Sequence, residues 1–317
     1  MVNGGSNLEE EFYLKLIEKL EKEQILKQEP LAHHTSFKVG GPAKYLILPN
    51  SIDQVIYTIQ LCEKEEIPYY VMGNGSNLLV GDKGYNGVII KLNGSFGEIS
   101  ITPLDKKDKS YLVRAQAGVL LSKLATRIAK AELTGFEFAA GIPGSLGGAV
   151  TMNAGAYDGE IKNHIHSATV IDRNGSLITL SKEELELGYR TSIIQKKDYF
   201  VLEAQFIFEK GNKEEIFAKI IELNRRRQEK QPLEFPSAGS AFKRPVGHFA
   251  GKLIMDSGLK GYQIGGAQVS TKHCGFVINL GNATALDILN LLNYIKKVVY
   301  EKFGVVLEQE VKLLGDF

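Results

Sequence analysis

The chain has 317 residues, too many for one small domain and suited to two or three. With 44% hydrophobic and 24% charged residues it is an ordinary soluble globular composition, and a formal net charge of +1 excludes a global basic field for nucleic acid or an anionic membrane. Its two cysteines, Cys62 and Cys274, form no C-x-x-C pair, which excludes a disulfide framework and a zinc site and points to a reducing compartment. No apolar run approaches a membrane span and the first residues lack a basic-then-apolar leader, so a cytosolic α/β protein is expected, with no membrane or nucleic-acid partner.

In chain order, Leu8, Phe12, Leu16, Ile17 and Leu20 share one face of a helix over 8–23. His33 and His34 are adjacent in a segment expected to be extended, where neighbours point to opposite faces, so no metal is assigned. A strand over 45–48 precedes a helix capped by Ser51, with Val55, Ile56, Ile59 and Cys62 on its apolar face. The strand Tyr69–Met72 then enters the loop Gly73-Asn74-Gly75-Ser76-Asn77-Leu78, followed by apolar residues to Val80. A strand, a Gly/Asn turn with free amides and a second strand make a cradle for a diphosphate. The loop is neither a Walker loop nor a G-x-G-x-x-G helix opening. The β-α-β order puts it at a strand's C-terminal end, where α/β folds commonly bind ligands.

A strand over 88–92, a charged turn over 100–110, a strand over 111–117 and a helix over 120–132 lead to the densest small-residue stretch, 135–160. It holds Gly141, Ile142, Pro143, Gly144, Ser145, Gly147, Gly148, Asn153, Gly155 and Ala156. Glycine costs entropy, and such a density points to a backbone that must approach something flat or anionic. A tightly packed core loop would explain one such stretch; two in one chain favour a nucleotide cofactor. Residues 168–172 and 177–180 flank Asn174-Gly175, a hairpin signal. Ser181-x-x-Glu184 is a capping box for a short helix. After Tyr189 and Arg190 comes a strand over 199–208.

The texture changes near Gly211. A helix over 214–227 ends in three arginines, which complement its dipole. Small residues around Ser240 precede Lys243 and Arg244, and a helix over 249–257 and a strand over 275–279 follow. Thr284 caps a strong helix to Phe303, and residues 305–314 alternate as a strand with Glu308 and Glu310 on one face.

GNGSNLLV, GIPGSLGGAVTMNAGA, YRTS, PSAGSAFKRP and LEQEVKLLG occur together and in this order. In that set the chain resembles the MurB family, the flavin-dependent UDP-N-acetylenolpyruvoylglucosamine reductases of bacterial cell-wall synthesis, over nearly its whole length. The resemblance implies an α+β protein: a two-subdomain FAD-binding fold of the vanillyl-alcohol-oxidase (PCMH) type plus a C-terminal α+β substrate domain. The subdomains would cover 1–84 and 85–210, the substrate domain 211–304, and the strand about 305–317 would return to the first. FAD would bind non-covalently, with the loop from Gly73 to Leu78 on its diphosphate and the residues from Gly141 to Ala156 along the pyrophosphate, ribityl chain and ring. NADPH would reduce it and leave. UDP-N-acetylglucosamine enolpyruvate would then accept a hydride from flavin N5 at C3 and a proton at C2.

By the same resemblance Arg190 would hold the substrate carboxylate, Ser240 would protonate C2, and Glu310 would polarise the carboxyl or assist proton delivery. An arginine fork suits a carboxylate on which enolate charge develops. Read alone, these residues fit a salt bridge, a loop serine and an exposed strand carboxylate equally well. Tyr189, Lys230, Arg244 and His273 fall where the family contacts the substrate. The chain lacks the inserted tyrosine loop between Arg190 and Ser240, as in the shorter branch of the family. The competing readings are a flavin oxidase on the same fold and a nucleotide-binding regulator without activity. The catalytic set opposes both, since an oxidase has no use for an enolate clamp and no catalytic residue is missing.

Overall fold

Three hydrophobic patterns in the sequence become three layers, seen in a computed structural model that describes residues 4–104 and 109–317. The first layer is a four-stranded sheet in the spatial order Ile25–Pro30, Pro42–Ile47, Tyr85–Lys91, Tyr69–Met72. Its first pair is antiparallel and the others parallel. The crossover helix Ile52–Lys64 is capped as expected, Ser51 Oγ accepting from Gln54 N at 3.3 Å, and buries Val55, Ile59 and Cys62. Burying one helical stripe against a sheet is the main reason such a short helix is stable.

The helix expected over 8–23 is shorter: it is Gly4–Leu16. Leu20 is still buried, so the apolar spacing reports burial past the point where the helix stops. The Gln24 side chain accepts from Glu21 N at 2.9 Å and closes a short turn that sends the chain into the strand Ile25–Pro30, for which the sequence reading had no element. His33 and His34 are not extended either. They sit on the 3-10 turn Leu31–His34 and both face Glu29.

The second layer is antiparallel: Leu177–Ser181, Ile165–Ile171, Phe200–Lys210, Ser110–Gln116 and Ile99–Pro103, with Leu133–Thr134 at the end of the long strand. The Asn174-Gly175 hairpin forms. Part of the expected turn over 100–110 is the strand Ile99–Pro103, and its residues 105–108 lie outside the described residues. Ser181 and Glu184 make the reciprocal bonds of a capping box, at 2.8 and 3.3 Å, around a turn with no helix behind it. Helices Leu121–Lys130 and Leu146–Thr151 pack on this layer, and Phe136, Phe206 and Phe208 fill its core edge to face or stacked. The first two layers share one continuous core. Helix Lys213–Lys230 lies on the second layer, against Leu121–Lys130 and the turn Glu137–Gly141.

The third layer is built on helix Ala285–Phe303, opened by a Thr284/Asp287 capping box and closed by Gly304 in the left-handed region. It covers the small sheet Gln263–Ile264, Ala267–Val269, Val277–Asn279 and the helix Ala250–Asp256. Phe37, Val39 and Leu79 of the first layer enter this core. The tail expected as a strand over 305–314 is one only at Lys312–Leu314, which lies parallel to Leu78–Val80. Upstream, Gln309 makes a single bridge to Phe242.

Asn279 ties the third layer to the first. Its buried amide donates to Phe37 O at 2.9 Å and accepts from Gly281 N and Ala283 N at 2.7 and 3.0 Å. Asn279→Ala leaves the buried Phe37 carbonyl unpaired and removes the acceptor of the Gly281 and Ala283 N–H groups, so urea unfolding should show a loss of about 1–3 kcal/mol; a loss below about 0.5 kcal/mol, the range of an ordinary surface change, would refute this tie.

Candidate active site

Two cavities adjoin the junction of the layers. The first, about 440 Å³, is a cleft between the first and second layers. One wall is the loop Gly73 to Leu78, the other is Ile142, Gly144, Ser145, Gly147 and Gly148, so both glycine loops face one space. They also hold each other. Asn74 Nδ2 donates to Pro143 O at 2.6 Å and Asn74 N to Ser145 Oγ at 3.3 Å, and a Cβ on Gly73 would collide with that hydroxyl. Gly148 serves differently: a Cβ there would meet nothing within 4 Å and would stand in the open cleft.

The backbone N–H groups of Gly75, Ser76 and Asn77 donate to no acceptor among the described residues. Unpaired N–H groups along a glycine turn suit an anion, and the cleft's remaining walls, Val71, Leu92 and Val201 among them, suit a flat apolar ring. The donor set and the space left by Gly148 therefore fit FAD.

The second cavity, about 450 Å³, brings together Arg190, Ser240 and Glu310, with Tyr189, Arg244 and His273 in its wall. Each comes from a different local structure. Arg190 follows Tyr189 in a tight Gly188–Thr191 turn that forces it to φ +55°, a region few non-glycine residues occupy. Its Nε donates to Glu310 Oε1 at 2.9 Å, and its other nitrogens donate to Gly155 O at 3.0 Å and Asn153 O at 3.4 Å. Ser240 lies at a single bridge to Phe276 and is exposed to the cavity. Glu310 is anchored through its backbone: its N–H donates to Ala241 O at 2.9 Å and its carbonyl accepts from Asn77 Nδ2 at 3.0 Å.

Burial pushes the Glu310 carboxyl above the usual carboxylate range, while Arg190 and then Lys243 pull it back. Burial also lowers the pKa of His273 below the ordinary histidine value. Its Nδ1 accepts from Gly275 N at 3.1 Å, so the neutral ring carries its proton on Nε2. At the rim, Tyr189 Oη accepts from Arg244 N at 3.1 Å, and the Arg244 guanidinium sits 4.0 Å over the Phe249 ring.

Other expected site residues stand outside these walls. Gly141 packs against Asn224 and Arg227 on helix Lys213–Lys230. Asn153 is buried, its side chain donating to Glu160 Oε2 and Gly188 O at 2.9 Å, which shapes the turn carrying Arg190. Gly155 meets the site through the carbonyl that Arg190 holds, and Ala156 pairs with Gly159 in a two-residue hairpin. Pro143 contributes its carbonyl to Asn74, and Lys230 is exposed at a helix end, in the wall of neither cavity. Residues the sequence reading lacked are Gln195, whose amide donates to Thr151 O and Arg190 O at 2.9 and 3.3 Å, and the cavity cations Lys252, Lys260 and Lys272. Isolated lysines carry no motif, and only the fold collects them.

Comparison with known proteins agrees with this geometry. The family model for the UDP-N-acetylenolpyruvoylglucosamine reductase C-terminal domain matches residues 231–314, and that for an FAD binding domain matches residues 43–181. The UDP-N-acetylenolpyruvoylglucosamine reductase of Lachnoclostridium phytofermentans is 55% identical over 93% of this chain and 94% of its own. That of Clostridium kluyveri is 54% identical over 97% and 98%. The crystal structure of MurB from Thermus caldophilus superposes with a TM-score of 0.75 at 36% identity, covering 90% of this chain and 97% of that one. The fold is an FAD-binding domain of two packed sheets with an added C-terminal α+β domain. With relatives this similar along almost their entire lengths, the chain belongs to the UDP-N-acetylenolpyruvoylglucosamine reductase (MurB) family, flavin-dependent oxidoreductases of peptidoglycan precursor synthesis.

Proposed function

We propose that the protein reduces UDP-N-acetylglucosamine enolpyruvate to UDP-N-acetylmuramate in the cytoplasm, with NADPH as the electron donor and FAD held without a covalent bond. The observation that carries this reading is the convergence of Arg190, Ser240 and Glu310, from three separate parts of the chain, on one cavity beside the cofactor cleft. The relatives' names support the substrate class. Among the described residues no helix is long and apolar enough to cross a membrane.

When bound, FAD supplies a ring that takes a hydride from NADPH and delivers one from N5 to C3 of the enolpyruvyl group. The chain's own residues do the rest. Arg190 is preset by Glu310, Gly155 O and Asn153 O, and its remaining N–H donors are free for the substrate carboxylate. Charge that develops at C2 and spreads onto that carboxylate thus meets a cation already in place, which costs no reorganisation in the transition state. Ser240 Oγ gives its proton to C2, and the hydroxyl regains one from water or Glu310. Burial makes Glu310 hold a proton more readily than an exposed glutamate, which suits a group that resupplies protons. His273 Nε2–H and the lysines of the cavity face the space left for the sugar nucleotide. Of the residues named for the cofactor, the loop from Gly73 to Leu78 takes the diphosphate, and Gly144 to Gly148 run along the ring side of the cleft.

Ser240→Ala should leave reduction of the flavin by NADPH at the wild-type rate and slow its reoxidation by the enolpyruvyl sugar by roughly 100-fold or more in anaerobic stopped flow. Reoxidation at the wild-type rate would remove Ser240 from the reaction. Glu310 also carries a pH signature. Its folded pKa lies above the ordinary value near 4.5, so its contribution to stability is complete below that value and is lost as pH rises through the raised one. The stability of wild type relative to Glu310→Gln should therefore fall across that window in pH-resolved urea melts; a difference that rises with pH would contradict the assignment.

A further inference from the structure

The back of the cofactor loop rests on a half-buried set of charges that the reaction does not use. Ser36 N donates to Gly75 O at 3.2 Å, and the His34 carbonyl lies so close to Gly75 that any side chain there would collide with it. The His34 ring is itself clamped. Its Nε2 is 2.9 Å from Glu29 Oε1, and its Nδ1 is 2.8 Å from Lys91 Nζ. A lysine ammonium has only donors, so Nδ1 must accept, which places the single ring proton on Nε2, aimed at Glu29. The row is thus carboxylate, neutral imidazole, ammonium. Lys91 closes the strand Tyr85–Lys91 opposite Met72, the residue before the loop, and Leu92 N donates to Met72 O at 2.9 Å. The row therefore joins the strand Ile25–Pro30, the turn before Thr35 and the end of the strand Tyr85–Lys91, whose neighbour Tyr69–Met72 runs into the loop.

We propose that His34 is a positioning residue for the cofactor: as a neutral imidazole bridging Glu29 and Lys91 it fixes the Gly75 turn whose free N–H groups face the FAD diphosphate. The inference rests on the assignment of that loop as the diphosphate cradle. Protonating His34 would put a donor on both ring nitrogens, break the bond to Lys91 and set two cations against each other. The charged or titratable groups facing the ring are Glu29, which favours the charged form, and Lys91 and His33, which oppose it. Burial opposes the charged form most strongly of all, so the neutral form persists below the usual histidine range, and the turn loosens only in acid.

The test measures the dissociation constant of FAD from the deflavinated full-length protein by quenching of flavin fluorescence, together with the thermal stability of the flavin-free protein. The variants are His34→Gln and Lys91→Met, at ~pH 8 and ~pH 4.5, the second well below the ordinary histidine range because burial keeps His34 neutral past it. At the higher pH both variants should bind FAD roughly tenfold or more weakly, the equivalent of one lost buried hydrogen bond, with little change in the melting of the flavin-free protein. Wild-type affinity should fall on acidification, and His34→Gln, which cannot titrate, should lose much less. Affinity within twofold of wild type in both variants, or an equal acid loss in His34→Gln, would overturn the proposal. A wild-type protein that binds no FAD would instead overturn the assignment of the cleft.

Discussion

Glu310 is bonded at once to one segment from each of the three layers around the site. Its carboxylate takes Arg190 from the second layer, its N–H reaches Ala241 beside Ser240 in the third, and its carbonyl holds Asn77 of the cofactor loop in the first. These bonds fix where the substrate cavity lies against the cofactor cleft. The chain reaches this point through a tail that returns to pair Lys312–Leu314 with Leu78–Val80, the strand that leaves the cofactor loop. One short segment thus sets both the position of the Glu310 side chain and the shape of the loop proposed to receive the diphosphate.

That arrangement has an energetic cost visible in the residues. Arg190 and Glu310 are both largely withdrawn from water, at 19% and 12% side-chain exposure, and desolvation of the pair is offset in part by the further bonds of Arg190 to Gly155 O and Asn153 O. Arg190 in addition sits at φ +55°, held there by the Gly188–Thr191 turn and by Gln195 bonded to its carbonyl. Strain of this kind persists only where the surroundings over-determine it, and here the surroundings are the site itself. The benefit is a guanidinium with fixed direction, ready for a carboxylate without rearrangement of its own.

Much of this could be read in the sequence because the two glycine loops and the short motifs around Tyr189, Ser240 and Glu310 are local. Ser51, Thr284, Asn174-Gly175 and the apolar stripes of the two long helices state their own structure within a few residues. What could not be read depends on distant partners. The strand Ile25–Pro30 shows no alternation, its burial being set by the neighbouring strand Pro42–Ile47. The end of the first helix is hidden because Leu20 stays buried after the helix stops. Glycines 141 and 155 belong to the same small-residue stretch as Gly144 and Gly148, yet one packs on a helix and the other offers a carbonyl to Arg190, a division that only the fold makes. Lys260 and Lys272 reach the cavity from a region with no motif, and Lys230, expected at the substrate from the family pattern, lies outside both cavities.

One flavin has to link the chemistries of the two cavities. The direct measurement is the visible absorption spectrum of the purified protein under anaerobic conditions, first alone, then with NADPH, then with UDP-N-acetylglucosamine enolpyruvate. Flavin absorption that bleaches with NADPH and returns only with the enolpyruvyl sugar is the predicted result. Flavin that returns with air and not with the sugar, or a protein that cannot be loaded with FAD, would contradict it.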